Sequence, residues 1–299
     1  MIRWRADLAL LATAALWGVA FVAQKHVTAV LPPISFVAAR FAISALALAP
    51  FAYFETRWAS APLDGRSWRM AIFIALTLFT GSVLQQVGLT TTSAGHAGFL
   101  TACYVVLVPV AVWLLTGLTP RPVIALACAL SLGGAWLLAH DGGPSAPMTL
   151  GDGLILLSDV AWSLGIAATP MFLLRAHRPF TLAFMQYVVC ASLSGLAAPA
   201  FESAHLQDFA AGWLPLLYAG LVSGGVAFTM QIIAQRYAPA AEAALILSLE
   251  SVFAALAGSA LLGERLTGIA MAGCALILTS VLVVEIGPPM LLRLRRARA

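Results

Sequence analysis

Residues 7–27 read DLALLATAALWGVAFVAQKHV, and no charged side chain stands between Asp7 and Lys25. At about 1.5 Å per residue, a helical run of this length crosses the roughly 30 Å hydrocarbon core of a bilayer. Arg3 and Arg5 before it resemble the start of a secretory leader. The run is too long for one, and Gln24-Lys25-His26 ends it with no small-residue cleavage pattern, so it reads as a first membrane helix. Working outward, nine further segments are predicted at 34–54, 70–89, 94–116, 122–139, 153–173, 181–200, 213–235, 241–262 and 268–286. Breakers separate them: Pro32-Pro33, Pro120 and Pro122, Gly142-Gly143-Pro144, Pro179, Pro239 and Pro288-Pro289.

Composition agrees with ten such helices. The 299 residues are 62% hydrophobic and 9% charged, whereas an ordinary soluble domain is about a quarter charged. With the N-terminus in the cytoplasm, that side collects Arg3, Arg5, Arg57, Arg66, Arg69, Arg121, Arg175, Arg178, Arg236, Arg293, Arg295, Arg296 and Arg298, while the other holds Lys25 and Arg265. This asymmetry predicts both termini in the cytoplasm. The basic residues orient the chain and form no nucleic-acid-reading face. Cys103, Cys128, Cys190 and Cys274 lie in apolar runs and read as small packing residues. No metal motif, cofactor motif, P-loop, nucleophile elbow or HExxH is present, which points away from an enzyme or an ATP-driven pump.

The chain also repeats. Asp7 and Trp17 recur as Asp152 and Trp162, 145 residues on, and Cys128-Ala129-Leu130 recurs as Cys274-Ala275-Leu276. Arg40 and Gln186 take matching places in helices 2 and 7. Each half holds five helices, an odd number, so the second half enters the membrane from the opposite side. The expected fold is an all-α polytopic membrane protein of ten transmembrane helices, arranged as two inverted five-helix repeats, 1–145 and 146–299. Inverted repeats of this kind place a site near the bilayer midplane and let it face either side in turn.

Several segments carry a family resemblance: Leu16-Trp17-Gly18, Ala38-Ala39-Arg40-Phe41, the run Leu249-Glu250-Ser251-Val252-Phe253-Ala254-Ala255-Leu256, then Leu262-Gly263-Glu264-Arg265-Leu266-Thr267 and Gly273. In this order they resemble the EamA-type branch of the drug/metabolite transporter superfamily, and within it most the YddG-type aromatic amino acid exporters. The resemblance implies alternating-access export of amino acids, related metabolites or toxic compounds across a bacterial inner membrane. Ser251 stands where the family has a proline, which predicts a straighter helix 9. The first half has Thr116-Gly117-Leu118 in place of the Gly-Glu-Arg motif.

Polar groups in hydrocarbon are costly and mark candidate site residues. Arg40 suits a substrate carboxylate, or else snorkels to the outer headgroups or pairs with a neighbouring carboxylate. Glu250 and Asp159 suit a substrate amine or a coupling proton, or else bond structurally between helices. Gln24, Gln85, Gln86, Gln186, Gln231 and Gln235 can both donate to and accept from a zwitterion, or else join helices. Trp17 and Trp162 lie near mid-bilayer and can wall a cavity, with Phe99 and Tyr104 on helix 4 as further aromatic candidates. Helices 1, 3, 4, 6, 8 and 9 are expected to line the cavity, and helices 5 and 10 to brace it. The expected partners are a small-molecule substrate, the lipid bilayer and protons as candidate coupling ion. The alternative carried by the same residues is a multidrug or quaternary-cation exporter, with Glu250 or Asp159 and the two tryptophans holding the cation. A membrane-embedded enzyme or nontransporting receptor is the more distant alternative.

Overall fold

The computed structural model describes residues 3–92, 94–139, 148–262 and 266–297, and the backbone alone at 94–95, 261–262 and 286–297. The Gly142–Pro144 breaker, the Gly263-Glu264-Arg265 motif and Arg298 lie outside the described residues. Ten helices are long and apolar enough to cross a membrane. They are α1 (Arg3–Val27), α2 (Pro33–Arg57), α3 (Gly65–Gly88), α4 (His96–Thr116), α5 (Pro122–Ala139), α6 (Leu150–Ala176), α7 (Pro179–Phe201), α8 (Trp213–Gln235), α9 (Ala240–Ala260) and α10, whose apolar span is Gly268–Glu285 and whose helix continues to Ala297. Most begin or end a few residues beyond the apolar runs, because the backbone keeps its own hydrogen bonds into the headgroup region. Helix α10 runs on through Pro288-Pro289, contrary to the break expected there.

The main helix pairs are kept when each helix of the first half is exchanged with its mate in the second. Helix α1 packs on α8 and α9, and α6 on α3 and α4. Helix α2 packs on α8, and α7 on α3. The pairs α2/α7, α4/α9 and α5/α10 map onto themselves. Such a pattern is what a two-fold axis lying in the membrane produces.

The N-termini of α2 and α7 show the same symmetry in atomic detail. Glu202, just past the end of α7, accepts from the backbone N–H of Ile34 (2.7 Å) and Ser35 (2.8 Å) and from the Ser35 hydroxyl (2.8 Å). Glu55, near the end of α2, accepts from the N–H of Phe180 (3.3 Å) and Thr181 (2.6 Å) and from the Thr181 hydroxyl (2.7 Å). Each carboxylate satisfies donors that the first turn of its partner leaves free. One clamp closes each end of the antiparallel pair.

Two helices are interrupted at matching points. Helix α4 breaks at Cys103 and α9 at Ser248-Leu249. The break in α9 forms with Ser251, and not a proline, just after it. Ser248 bonds back to the Leu245 carbonyl (2.7 Å) and accepts from Ser131 (3.0 Å), which competes with the helical ladder. Gly18 lets α1 lie against the turn that follows, where a methyl group would come within 2.8 Å of the Glu250 carbonyl.

Helix α8 departs from regularity most. Its Tyr218–Phe228 stretch is a π-helix, wound with i→i+5 bonds. Side chains of neighbouring helices reach its carbonyls: Ser44 to Gly220 (2.7 Å), Trp17 to Ser223 (3.2 Å), Tyr187 to Gly224 (2.9 Å) and Thr13 to Ala227 (3.2 Å). Gly220 and Gly224 permit this approach, since a methyl at Gly224 would collide with Ser44 Oγ at 2.1 Å.

Candidate functional site

One cavity lies between the two halves and encloses about 770 Å³ of empty space, part of it continuous with the outside. Residues of both halves line it, and among the described residues none comes from α5 or α10. Helices α2 and α7 join the expected α1, α3, α4, α6, α8 and α9 through Arg40 and Gln186.

Arg40 is the cation of this cavity. It is buried, not snorkelled to the headgroups. Its Nη1 donates to Gln24 Oε1 at 2.8 Å, and its guanidinium lies 4.6 Å from the Phe41 ring centre and 5.5 Å from that of Phe36. Its Nε–H has no partner, and among the described residues no carboxylate pairs with it. Glu250, at the break in α9, supplies the cavity's carboxyl group, with Tyr104 across from it on α4. Glu250 follows Tyr104 by 146 residues, so an acid and a phenol hold matching places in the two halves.

The aromatic wall joins Trp17 and Trp162 through Phe228. The Trp17–Phe228 ring centres are 4.4 Å apart, and Trp162 stacks on Phe228 at 5.8 Å with an interplanar angle of 23°. Gln85 donates to Thr101 (3.2 Å), and Gln231 donates to Gln235 (3.2 Å), which donates in turn to the Ile166 carbonyl (3.0 Å).

Of the candidate residues, Trp17, Gln24, Arg40, Gln85, Tyr104, Trp162, Gln186, Gln231 and Glu250 line the cavity. Gln86, Phe99, Asp159 and Gln235 do not. Gln86 is fully buried on another face of α3, and Gln235 braces Gln231 from behind. Phe99 stacks on His96 at 6.3 Å near the end of α4. Asp159 is fully buried behind the lining, within electrostatic reach of Glu250, and neither carboxyl oxygen has a hydrogen-bond partner. Phe228, Thr77, Thr101, Thr169 and Ser223 line the cavity without having been singled out. Among the described residues no three His, Cys, Asp or Glu side chains stand together as a metal site.

The model of the EamA-like transporter family matches residues 4–139 and again 149–286, once in each half. This chain belongs to the EamA-like transporter family. A curated protein of Archaeoglobus fulgidus, described as an uncharacterized transporter, is 32% identical over 286 residues, which is 95% of this chain and 87% of the relative. One solved crystal structure superposes with a TM-score of 0.80 at 19% identity, over 96% of this chain and 98% of that one. At that identity the likeness is one of fold. The lipid-facing surface is correspondingly apolar, with Trp58, Tyr53, Phe54, Trp4 and Trp68 exposed toward the end that carries both termini.

Proposed function

We propose that this EamA-like protein is a secondary transporter that exports amino acids, aromatic ones above all, across a bacterial inner membrane by alternating access. The observation that carries this reading is a single aromatic-walled cavity holding both a guanidinium without a carboxylate partner and a separate carboxyl group. A zwitterion answers both. Its carboxylate goes to Arg40, whose planar donors match carboxylate geometry. Its ammonium goes to Glu250, and its side chain lies on Trp17, Trp162 and Phe228. Phosphate-bearing substrates would call for several cations, and among the described residues Arg40 is the one cation of the lining.

In this reading residues 1–145 and 146–299 exchange conformations about the two-fold axis, both termini lie in the cytoplasm by the arginine asymmetry, and protons are the coupling ion. Asp159 and Glu250 are the groups able to carry such a proton. A second reading, export of drugs or quaternary cations, draws on the same Glu250 and aromatic wall through cation–π contact. Arg40 in the same cavity would repel such a substrate.

Flux in proteoliposomes decides between them. Labelled phenylalanine, tryptophan and threonine and a cationic dye are loaded in parallel, with and without a pH gradient. Faster movement of the aromatic amino acids, driven by the gradient and lost on Arg40→Gln, supports the proposal. Dye movement abolished by Glu250→Gln, with no amino-acid flux, sinks it.

A further inference from the structure

Trp17 and Trp162 are mates in the repeat, yet their indole N–H groups end differently. Trp17 Nε1 donates to the Ser223 carbonyl at 3.2 Å. That carbonyl is reachable because the π-helical turn of α8 is wide. The matching stretch of α3, around Thr77-Leu78, lies inside the unbroken α-helix Gly65–Gly88, whose carbonyls are engaged in its own hydrogen-bond ladder. Trp162 Nε1 is therefore buried beside the cavity with no acceptor.

The Trp162 ring is held by two neighbours. Phe228 stacks on one face. Gly81 of α3 lies against the ring as well, where a methyl group would come within 3.0 Å of the ring and 3.2 Å of Nε1. The packed ring is held in place, and leaving a buried donor unpaired is destabilising. The other unpaired nitrogens of the lining, Arg40 Nε and Gln186 Nε2, are also donors. The Tyr104 hydroxyl is unpaired as well and Glu250 supplies the lining's carboxyl group, so the three unpaired nitrogens are donors that an acceptor on a ligand would satisfy.

We infer that Trp162 is a specificity-determining residue: its indole N–H binds an acceptor oxygen of the substrate, the carboxylate, while Trp17 serves as wall and strut. Gly81 is a positioning residue that acts through the indole. Naming the carboxylate rests on the amino-acid reading above.

The test uses three probes that share one ring: labelled phenylalanine, phenylacetate (carboxylate alone) and phenethylamine (ammonium alone), bound to the purified protein in lipid nanodiscs. Trp162→Phe keeps an aromatic ring against Phe228 and removes the N–H. It is expected to weaken phenylalanine and phenylacetate about tenfold and phenethylamine less than about twofold. Gly81→Ala, which displaces the indole without changing it, should give the same pattern, and it serves if Trp162→Phe does not fold. Phenylacetate bound and selectively weakened, with phenylalanine not bound at all, keeps the assignment and discards the amino-acid reading. Phenylalanine bound by wild type but weakened no more than phenethylamine keeps that reading and overturns the assignment. Equal loss across all probes, no loss in any, or no binding of any by wild type also overturns it.

Discussion

Arg40 and Gln186 hold matching places, and the difference between them gives the cavity one positive charge where identical residues would give two or none. Arg40→Gln should weaken phenylalanine binding at least about tenfold, since a charged hydrogen bond is lost, while phenethylamine binding holds or improves. Equal weakening of both would mean that Arg40 only supports the fold. A second residue acts far from the cavity. Asp64 caps α3 through the Ser67 N–H (2.9 Å) and pairs with Arg175, whose guanidinium holds the Asp64 carboxyl well below the usual carboxylate range. A lowered folded-state value means that the pair contributes fully above about pH 4, the ordinary aspartate value, and is lost as pH falls through the lower folded one. Melting midpoints of wild type and Asp64→Asn should therefore differ by a constant amount near neutrality and converge in acid; a gap that widens in acid would refute the pairing. Neighbouring residues also mark how far sequence reaches at this scale. Gln85 and Gln86 look alike in the chain, but adjacent helical residues point about 100° apart, and only Gln85 meets the cavity. Phe228 escaped notice because a phenylalanine in a membrane helix carries no polar signal, although it joins both tryptophans.

Element by element, the spans were legible because hydrocarbon demands long apolar runs whatever the function. What lies inside the spans was not. The π-helical turn of α8 depends on four side chains from α1, α2 and α7 meeting its carbonyls, and no local pattern in Tyr218–Phe228 announces them. The reciprocal clamps of Glu55 and Glu202 were equally hidden, since each joins residues more than a hundred apart in the chain. Small residues were legible as contact points only in aggregate. Gly134 of α5 and Gly273 of α10 face each other backbone to backbone: a methyl on Gly134 would lie 2.5 Å from the Gly273 carbonyl, and one on Gly273 2.6 Å from that of Gly134. Gly133, next in the chain, faces open space. Gly134→Ala should cost about 1–3 kcal/mol as an overpacked contact, and Gly133→Ala should be neutral or stabilising by up to about 1 kcal/mol through helix propensity. Unfolding in mixed micelles measures both, and similar effects at the two positions would show that α5 and α10 do not touch there.

At the scale of the molecule, the two ends of the cavity are fastened by related residues in different chemistry. Arg3 binds Glu285 (2.8 Å), Asp7 (3.0 Å) and Glu242, and Arg121 binds Glu242, which ties α1, α5, α9 and α10 together at the end that carries both termini. At the other end Lys25 donates to the Leu89 and Thr92 carbonyls (2.7 and 2.8 Å), Thr92 donates to Asp152 (2.7 Å), and His96 lies 3.6 Å from Asp152. Asp152 matches Asp7 in the repeat and His96 matches Glu242. In the proposed alternating access the halves exchange roles and one fastening must release while the other holds, so the balance of the two would set which side the cavity faces. Weakening the first, by Glu242→Gln, should favour opening at the terminal end, and Asp152→Asn should favour opening at the other. A cysteine placed at Ser223 in the lining reports this through a membrane-impermeant thiol reagent added to vesicles of either orientation, with the chain carrying only its native cysteines as background. Glu242→Gln should speed labelling from the terminal side and slow it from the other, and Asp152→Asn should do the reverse. Acceleration from both sides by either substitution would mean that the fastenings hold the fold together and do not act as alternating gates.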